Sequence, residues 1–172
     1  MIFNPQRGFK MQASRTLHSA AELQGVSSHL HYEVGMLQST ARGLASGIFG
    51  WKNTVANAML EAFVLHVRVV VDFLYPRGRG LKDSDVLAGD FFDSPEQWCK
   101  VRDKHIIKES REILEDARDR ADKEMAHLLY SRLKVTEAEK VWHFVKIGNE
   151  AGKVVKIFID NVPKEKLGPE WQ

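Results

Sequence analysis

Residues 53–75, NTVANAMLEAFVLHVRVVVDFLY, form the stretch that decides the fold. Asn53 or Thr54 can cap a helix, and apolar side chains then recur every three or four residues. The stretch ends at Tyr75-Pro76 because the residue before a proline avoids helical geometry. Its ionisable side chains are too many for a bilayer span. They are Glu61, His66, Arg68 and Asp72. The stretch therefore predicts a core helix of a protein that does not cross a membrane.

Helical patterns flank this stretch on both sides. Residues 13–46 carry apolar side chains at intervals of three and four, and a short helix is predicted within 83–92. Helical sequence then covers 95–133 in one or two pieces. A capping box at Thr136 opens a last helix, which Pro163 stops. With no alternating strand, the sequence predicts an all-α fold, a four- to five-helix up-and-down bundle.

The chain of 172 residues has the length of one ordinary domain. We predict an irregular N-terminal arm over 1–12, a single helical domain over 13–162 and a polar tail over 163–172. The hydrophobic content of 44% and the charged content of 28% are typical of a folded globular protein. A net charge of +2 excludes a strongly basic nucleic-acid coat, so any polyanion must bind at a local patch.

The single cysteine, Cys99, excludes an intrachain disulfide framework and a thiolate zinc site. It also fits a reducing compartment. The first residues lack the apolar segment of a secretory signal. These features predict a cytoplasmic protein, and nothing in the sequence requires a cofactor.

One pair of side chains could carry chemistry, Arg120 and His127. At about 100° per residue, seven residues return to within about 20° of the starting direction, so both side chains share one helix face. Histidine can accept a proton at neutral pH, and a guanidinium can hold a phosphate with two hydrogen bonds. These are the groups that a metal-independent cleavage of RNA requires, with the histidine taking the proton of the ribose 2′-hydroxyl.

A second group of charged residues lies in the opening stretch. Glu61, Arg68 and Asp72 follow each other at intervals of seven and four, close to one face of an otherwise apolar helix. Arg68 and Asp72 have the spacing of a helical ion pair. Charges in such a place need partners or water, so they predict either an internal network of ion pairs or the wall of a site. We assign them, with Lys123 and Arg132, to substrate binding or to orienting the Arg120–His127 pair.

The chain resembles the HEPN superfamily of small helical proteins. The likeness rests on the helix from Asn57 to Leu74 and on Arg120-Ala-Asp-Lys-Glu-Met-Ala-His127, followed by Arg132. That family is known for an arginine and a histidine separated by four to six residues, and here the spacing is six.

The resemblance implies a helical bundle that forms a homodimer, with the motif at the cleft between the subunits. It also implies a metal-independent ribonuclease, or an RNA- or nucleotide-binding protein, of a prokaryotic toxin–antitoxin or defence system. An antitoxin would then be a second partner. Ala121 stands directly after Arg120, where the family often has a polar residue.

Two other classes of function fit the residues. One is a non-catalytic dimeric adaptor, in which the polar stripe fixes the pairing register. The other is a metal-binding bundle, since Glu124 and His127 form one Glu-x-x-His step of the kind found in di-iron proteins. A zinc or nickel site would instead have to gather the dispersed histidines. These are His29, His31, His66 and His127.

Overall fold

The structure is a computed structural model, and it describes residues 17–50, 53–77, 81–124 and 141–172. These residues form an all-α fold of five α-helices with no strand among them. In chain order the helices are α1 (Ala20–Ser46), α2 (Thr54–Leu74), α3 (Pro95–His105), α4 (Lys108–Glu124) and α5 (Phe144–Asn161). Short 3₁₀ turns cover Ala88–Phe91, Lys164–Lys166 and Pro169–Trp171. The predicted all-α class is confirmed.

Two helices begin and end where the local chemistry predicts. Ser19 caps α1 with a capping box to Glu22, and Gly47 ends it in the left-handed conformation, at a φ of 66°. Asn53 caps α2 by accepting a hydrogen bond from the backbone N–H of Ala56, at 2.9 Å. The predicted cap of α2 is therefore confirmed, while α1 begins at Ala20 rather than at residue 13.

The later helices differ from the predicted ranges in two places. The stretch 95–133 is broken at Ile106 and Ile107, which separate α3 from α4. Residues 141–143 are not helical, and α5 begins only at Phe144. The prediction of a continuous helix from Thr136 through Val141 is therefore wrong at its described end; Thr136 itself lies outside the described residues.

The four longer helices form an up-and-down bundle. Glu33 of α1 meets His66 of α2, and Gly43 approaches Met59, so the two helices run antiparallel. The pairs α2–α4, α4–α5 and α1–α5 are antiparallel as well. In α2 and α4, for example, Arg68 meets Asp122 while the later residue Asp72 meets the earlier residue Arg118. Contacts of the Ser110 hydroxyl with Glu150, at 2.6 Å, and of Gln38 with Gly148 join the other two pairs. Antiparallel packing of neighbouring helices is the geometry of this bundle class.

Aromatic rings fill the end of the bundle that α3 closes. Trp98 stacks on Phe92 and meets Phe158 edge to face, and its indole N–H donates to the Leu74 carbonyl at 3.0 Å. Phe73 packs on the same Phe158 ring. These rings hold the C-terminal end of α2 in place, and with it the charged residues Arg68 and Asp72 in its last two turns.

The segment 163–172, predicted as a polar tail, packs on α1. Leu167 is buried, the Gly168 N–H donates to the Ser27 hydroxyl at 2.8 Å, and Trp171 meets the His31 ring edge to face. The apolar side chains Leu167 and Trp171 therefore anchor a segment whose composition is otherwise polar.

Candidate phosphate-binding groove

Arg120 lies on α4 and connects it to the segment that precedes α5. Its Nη1 donates to the Val141 carbonyl at 2.6 Å, and its guanidinium lies 4.1 Å from the centre of the Trp142 ring. Trp142 is itself buried and packs edge to face on Phe63 of α2. A guanidinium over an indole face is a favourable cation–π contact, so Arg120 is held in place by the fold.

The other residues of the predicted motif are only partly described. Lys123 is exposed near the end of α4. His127 and Arg132 lie outside the described residues, as does the Glu124–His127 step of the metal alternative. The pairing of Arg120 with His127 therefore stays a prediction.

An open groove of about 590 Å³ lies at the start of α5. Trp142 is one of the residues that line it, and Trp142 also packs against the Arg120 guanidinium, which is not itself part of the lining. Five polar residues line it, and all of them except Asn149 are spaced by three or four residues at the start of α5 and along it. They are His143, Lys146, Asn149, Glu150 and Lys153.

The charge of this groove favours an anion. Lys146 and Lys153 are more than half exposed, and His143 is exposed at the N-cap position that precedes the helix. No acidic side chain lies in the first turn of α5, and no side chain caps its N-terminus. The backbone N–H groups of a helix N-terminus attract anions, and here cationic side chains add to them.

Two carboxylates lie among these cations, and both are engaged. Glu150 accepts hydrogen bonds from Lys153 at 2.7 Å and from the Ser110 hydroxyl at 2.6 Å, which hold the pKa of its carboxyl below the ordinary value. Glu109 lies 3.6 Å from the Lys146 Nζ. An entering phosphate would therefore compete with an exposed ion pair at Lys146, which is weak, and with a partly buried one at Lys153.

The polar stripe predicted on α2 divides into two parts. Arg68 and Asp72 form the predicted ion pair, at 3.8 Å, but Arg68 lies closer to Asp122 of α4, at 3.1 Å. Glu61 is exposed, and it makes no ion pair with any residue that the structure describes. The pair therefore belongs to the α2–α4 contact, whereas Glu61 faces solvent.

Three arginines and three aspartates make up this contact, which we name the α2–α4 charge network. Its members are Arg68, Asp72, Arg77, Arg118, Asp119 and Asp122. Arg118 is buried, and its Nη1 donates to the Tyr75 carbonyl at 2.6 Å and to Asp72 at 3.5 Å. Arg77 bridges Asp119 and Asp122 of α4.

Burial dominates the ionisation of Asp72 in this network. Desolvation raises the pKa of its carboxyl, and the nearby guanidinium groups, Arg118 first, offset part of that rise. Removing one arginine from the network is therefore destabilising, because it leaves a partly desolvated carboxylate without its ion pair.

The network and Arg120 use different sides of α4. Asp122 and Arg120 are two residues apart, which separates their directions by about 160° on a helix. Since Arg68 and Asp72 turn toward Asp122 and Arg118, they stabilise the position of α4 rather than bordering the groove.

The histidines of the zinc or nickel alternative are dispersed. His66 is buried with its Nδ1 2.6 Å from a Glu33 carboxylate oxygen, His31 packs on Trp171, and His29 is exposed. No group of three or more histidine, cysteine or acidic side chains suited to a metal occurs in the described parts of the chain.

Several of these residues were not among the predicted site residues. The spacing of His143, Lys146, Glu150 and Lys153 was a usable signal, since these positions share a helix face. Whether this spacing indicates a site at a helix N-terminus depends on where α5 begins. A helix starting at Thr136 would have placed His143 in its interior and not at its N-terminus.

The comparisons with known proteins give no relative. No family model, no curated protein and no solved structure matches the chain.

Proposed function

We propose that this chain is a HEPN-like RNA-binding protein that holds phosphate groups at the groove beside Arg120, and that His127 adds metal-independent cleavage. The proposal includes a cytoplasmic location and a role in a prokaryotic toxin–antitoxin or defence system, with an antitoxin as partner. The observation that carries it is the position of Trp142, which holds Arg120 on its ring and lines a groove of cationic residues.

The groove has the components that a phosphodiester needs. Lys146 and Lys153 supply exposed positive charge, the N-terminus of α5 supplies backbone donors, and the Arg120 guanidinium packs on Trp142, which lines the groove. Phosphate contacts of this kind are independent of sequence and account for most of the affinity of proteins for nucleic acids.

Neutralising the two lysines is expected to weaken RNA binding. In fluorescence anisotropy with a short labelled single-stranded RNA, Lys146→Gln/Lys153→Gln should raise the Kd by about tenfold. The slope of log Kd against log salt should fall by about 0.7 for each phosphate that the variant no longer neutralises. Displacement of the RNA by a mononucleotide at equal phosphate concentration would identify the ligand as a free nucleotide.

Lys156→Gln is the matched control, because Lys156 is an exposed lysine of the same helix that pairs with Asp160 and does not line the groove. Wild-type affinity in the double variant, or an equal drop in affinity in the control, would contradict the proposal.

A second candidate function is the non-catalytic adaptor. It is favoured by the contacts of Arg120, which bind the Val141 carbonyl and the Trp142 ring and stabilise the fold without any ligand. Under this alternative, Arg120→Ala lowers the melting temperature while the wild type neither binds nor cleaves RNA.

A further inference from the structure

The outer face of α2 carries an apolar stripe that nothing in the described part of the fold covers. Its members are separated by three, four, three and four residues, and we name them the α2 stripe. They are Val55, Ala58, Ala62, Leu65 and Val69. Val55 and Leu65 are 55% and 56% exposed, and Val69 is 39% exposed. Alternating intervals of three and four form the a and d positions of a heptad, which is the pattern of a helix–helix seam.

The opposite face of α2 already supplies the core. Phe63, Val67 and Val70 are fully buried there, so α2 is apolar on both faces. By length and composition, α2 is also the one helix among the described residues that could cross a membrane, yet only 39% of its apolar 18-residue stretch is buried. The α2 stripe is therefore surplus apolar surface, which marks an interaction site.

We propose that the α2 stripe is covered by the same stripe of a second copy of this chain, with the two α2 helices antiparallel. This proposal gives the predicted homodimer a defined surface, and it does not depend on RNA binding. The two-fold axis would cross α2 between Phe63 and Val64.

Residue size supports this arrangement. In the antiparallel register, Ala62 lies opposite Leu65 of the second copy, and Ala58 lies opposite Val69 of the second copy. These layers each join a small side chain to a large one, which allows close approach and even packing. Val55 lies opposite Asp72 of the second copy, so the apolar seam ends there. A parallel pair would put alanine against alanine and leucine against leucine.

Charge supports the same orientation. Glu61 and Arg68 are seven residues apart on one flank of the stripe, at two successive g positions. An antiparallel second copy brings Glu61 opposite Arg68 of the second copy, and Arg68 opposite Glu61 of the second copy. Glu61 has no ion pair among the described residues. Arg68 pairs with Asp122 at 3.1 Å but is still 48% exposed, so it would bind Glu61 of the second copy in addition to Asp122. Because a two-fold axis repeats the contact, each pair is made twice.

Neighbouring α1 extends the surface. Tyr32 is 58% exposed and lies edge to face with His66, on the flank opposite Arg68. An exposed tyrosine beside an apolar seam is typical of protein interfaces. The charged flank and the small-to-large layers favour a protein helix over lipid as the occupant.

Disrupting the stripe should separate the copies. By sedimentation velocity over a concentration series, the wild type is expected to form a dimer, and Leu65→Glu should raise its dissociation constant about 30-fold or more. Ile107→Glu is the matched control, since Ile107 is 66% exposed between α3 and α4 and lies away from the stripe. Melting curves confirm that both variants are folded.

Disulfide trapping tests the orientation. In a Cys99→Ser background, the double variant Ala58→Cys/Val69→Cys should form a covalent dimer, whereas each single variant should not. In the antiparallel register, Ala58 of one copy lies about 16 Å along the axis from Ala58 of the other, too far for a disulfide. Efficient trapping of Ala58→Cys alone would overturn the antiparallel arrangement.

Two further results would overturn the proposal. One is a wild type that stays monomeric throughout the concentration series. The other is a monomer that binds phosphatidylcholine–phosphatidylglycerol vesicles through Leu65, which would make the α2 stripe a membrane surface.

Discussion

Replacing Arg118 with methionine is expected to lower the free energy of unfolding by about 2–4 kcal/mol, because the substitution removes a buried charged group that has carbonyl and carboxylate partners. Arg118 is 5% exposed and donates to the Tyr75 carbonyl and to Asp72. Methionine keeps much of the packing volume, so the drop in stability reports the missing charge and hydrogen bonds. Urea unfolding followed by circular dichroism measures it.

This drop in stability should depend on pH in a defined direction. Burial raises the pKa of Asp72, so its folded carboxyl holds a proton to higher pH than the unfolded one, and its charge costs stability as pH rises. Without Arg118 that pKa rises further. The difference between wild type and Arg118→Met is therefore expected to be largest near neutral pH and to shrink as the pH falls toward the ordinary value of 3.8.

Asp72→Asn added to Arg118→Met provides the control, because it removes the carboxylate that carries the effect. The difference in stability between Asp72→Asn and Asp72→Asn/Arg118→Met should then no longer depend on pH. A difference between Arg118→Met and wild type that stays constant with pH would contradict the role given to Asp72.

The predictable part of this fold is the part that local chemistry determines. The cap at Asn53, the break after Tyr75 and the ion pair of Arg68 with Asp72 all involve residues within a few positions of each other. The helical period of residues 53–75 also identifies α2 as a core helix, since its inner face buries Phe63 and Val67 completely.

The parts that sequence reasoning missed depend on distant residues. Asp72 meets Arg118 across 46 positions, and Arg68 meets Asp122 across 54, so neither contact has a local signature. From the sequence, we assign Arg68 and Asp72 to substrate binding or to orienting the Arg120–His127 pair, but the rotation of α4 places Asp122 toward them and Arg120 toward Trp142. That rotation is set by tertiary packing and not by propensity.

The start of α5 was missed for a related reason. Thr136 and Glu139 form a good capping box in sequence, yet Val141 and Trp142 are used for tertiary contacts with Arg120. Residues 141–143 carry these contacts and are not helical, so the described start of α5 coincides with tertiary contacts that the local capping pattern does not show.

His127→Ala is expected to lower the rate of RNA cleavage by about 10²–10⁴-fold, the contribution of a positioned general base. In the proposal, His127 takes the proton of the ribose 2′-hydroxyl while Arg120 holds the phosphate charge. The 2′-oxygen bonds to phosphorus, the bond from phosphorus to the 5′-oxygen breaks, and the 5′-oxygen takes a proton from water, which leaves a 2′,3′-cyclic phosphate and a 5′-hydroxyl. Because the proposed mechanism uses no metal, cleavage by the wild type should persist in EDTA. Incubation with mixed RNA, followed on denaturing gels, measures the rate.

His105→Ala is the matched control, since His105 is an exposed histidine at the end of α3 and should leave cleavage unchanged. Arg120→Lys separates binding from fold, because lysine keeps the positive charge but does not provide the planar stack on Trp142 or the paired donors. We expect it to cleave slowly while melting within a few degrees of the wild type. Equal rates for the wild type and His127→Ala would remove the nuclease from the proposed function and leave RNA binding at the groove as a separate question, which the lysine variants answer.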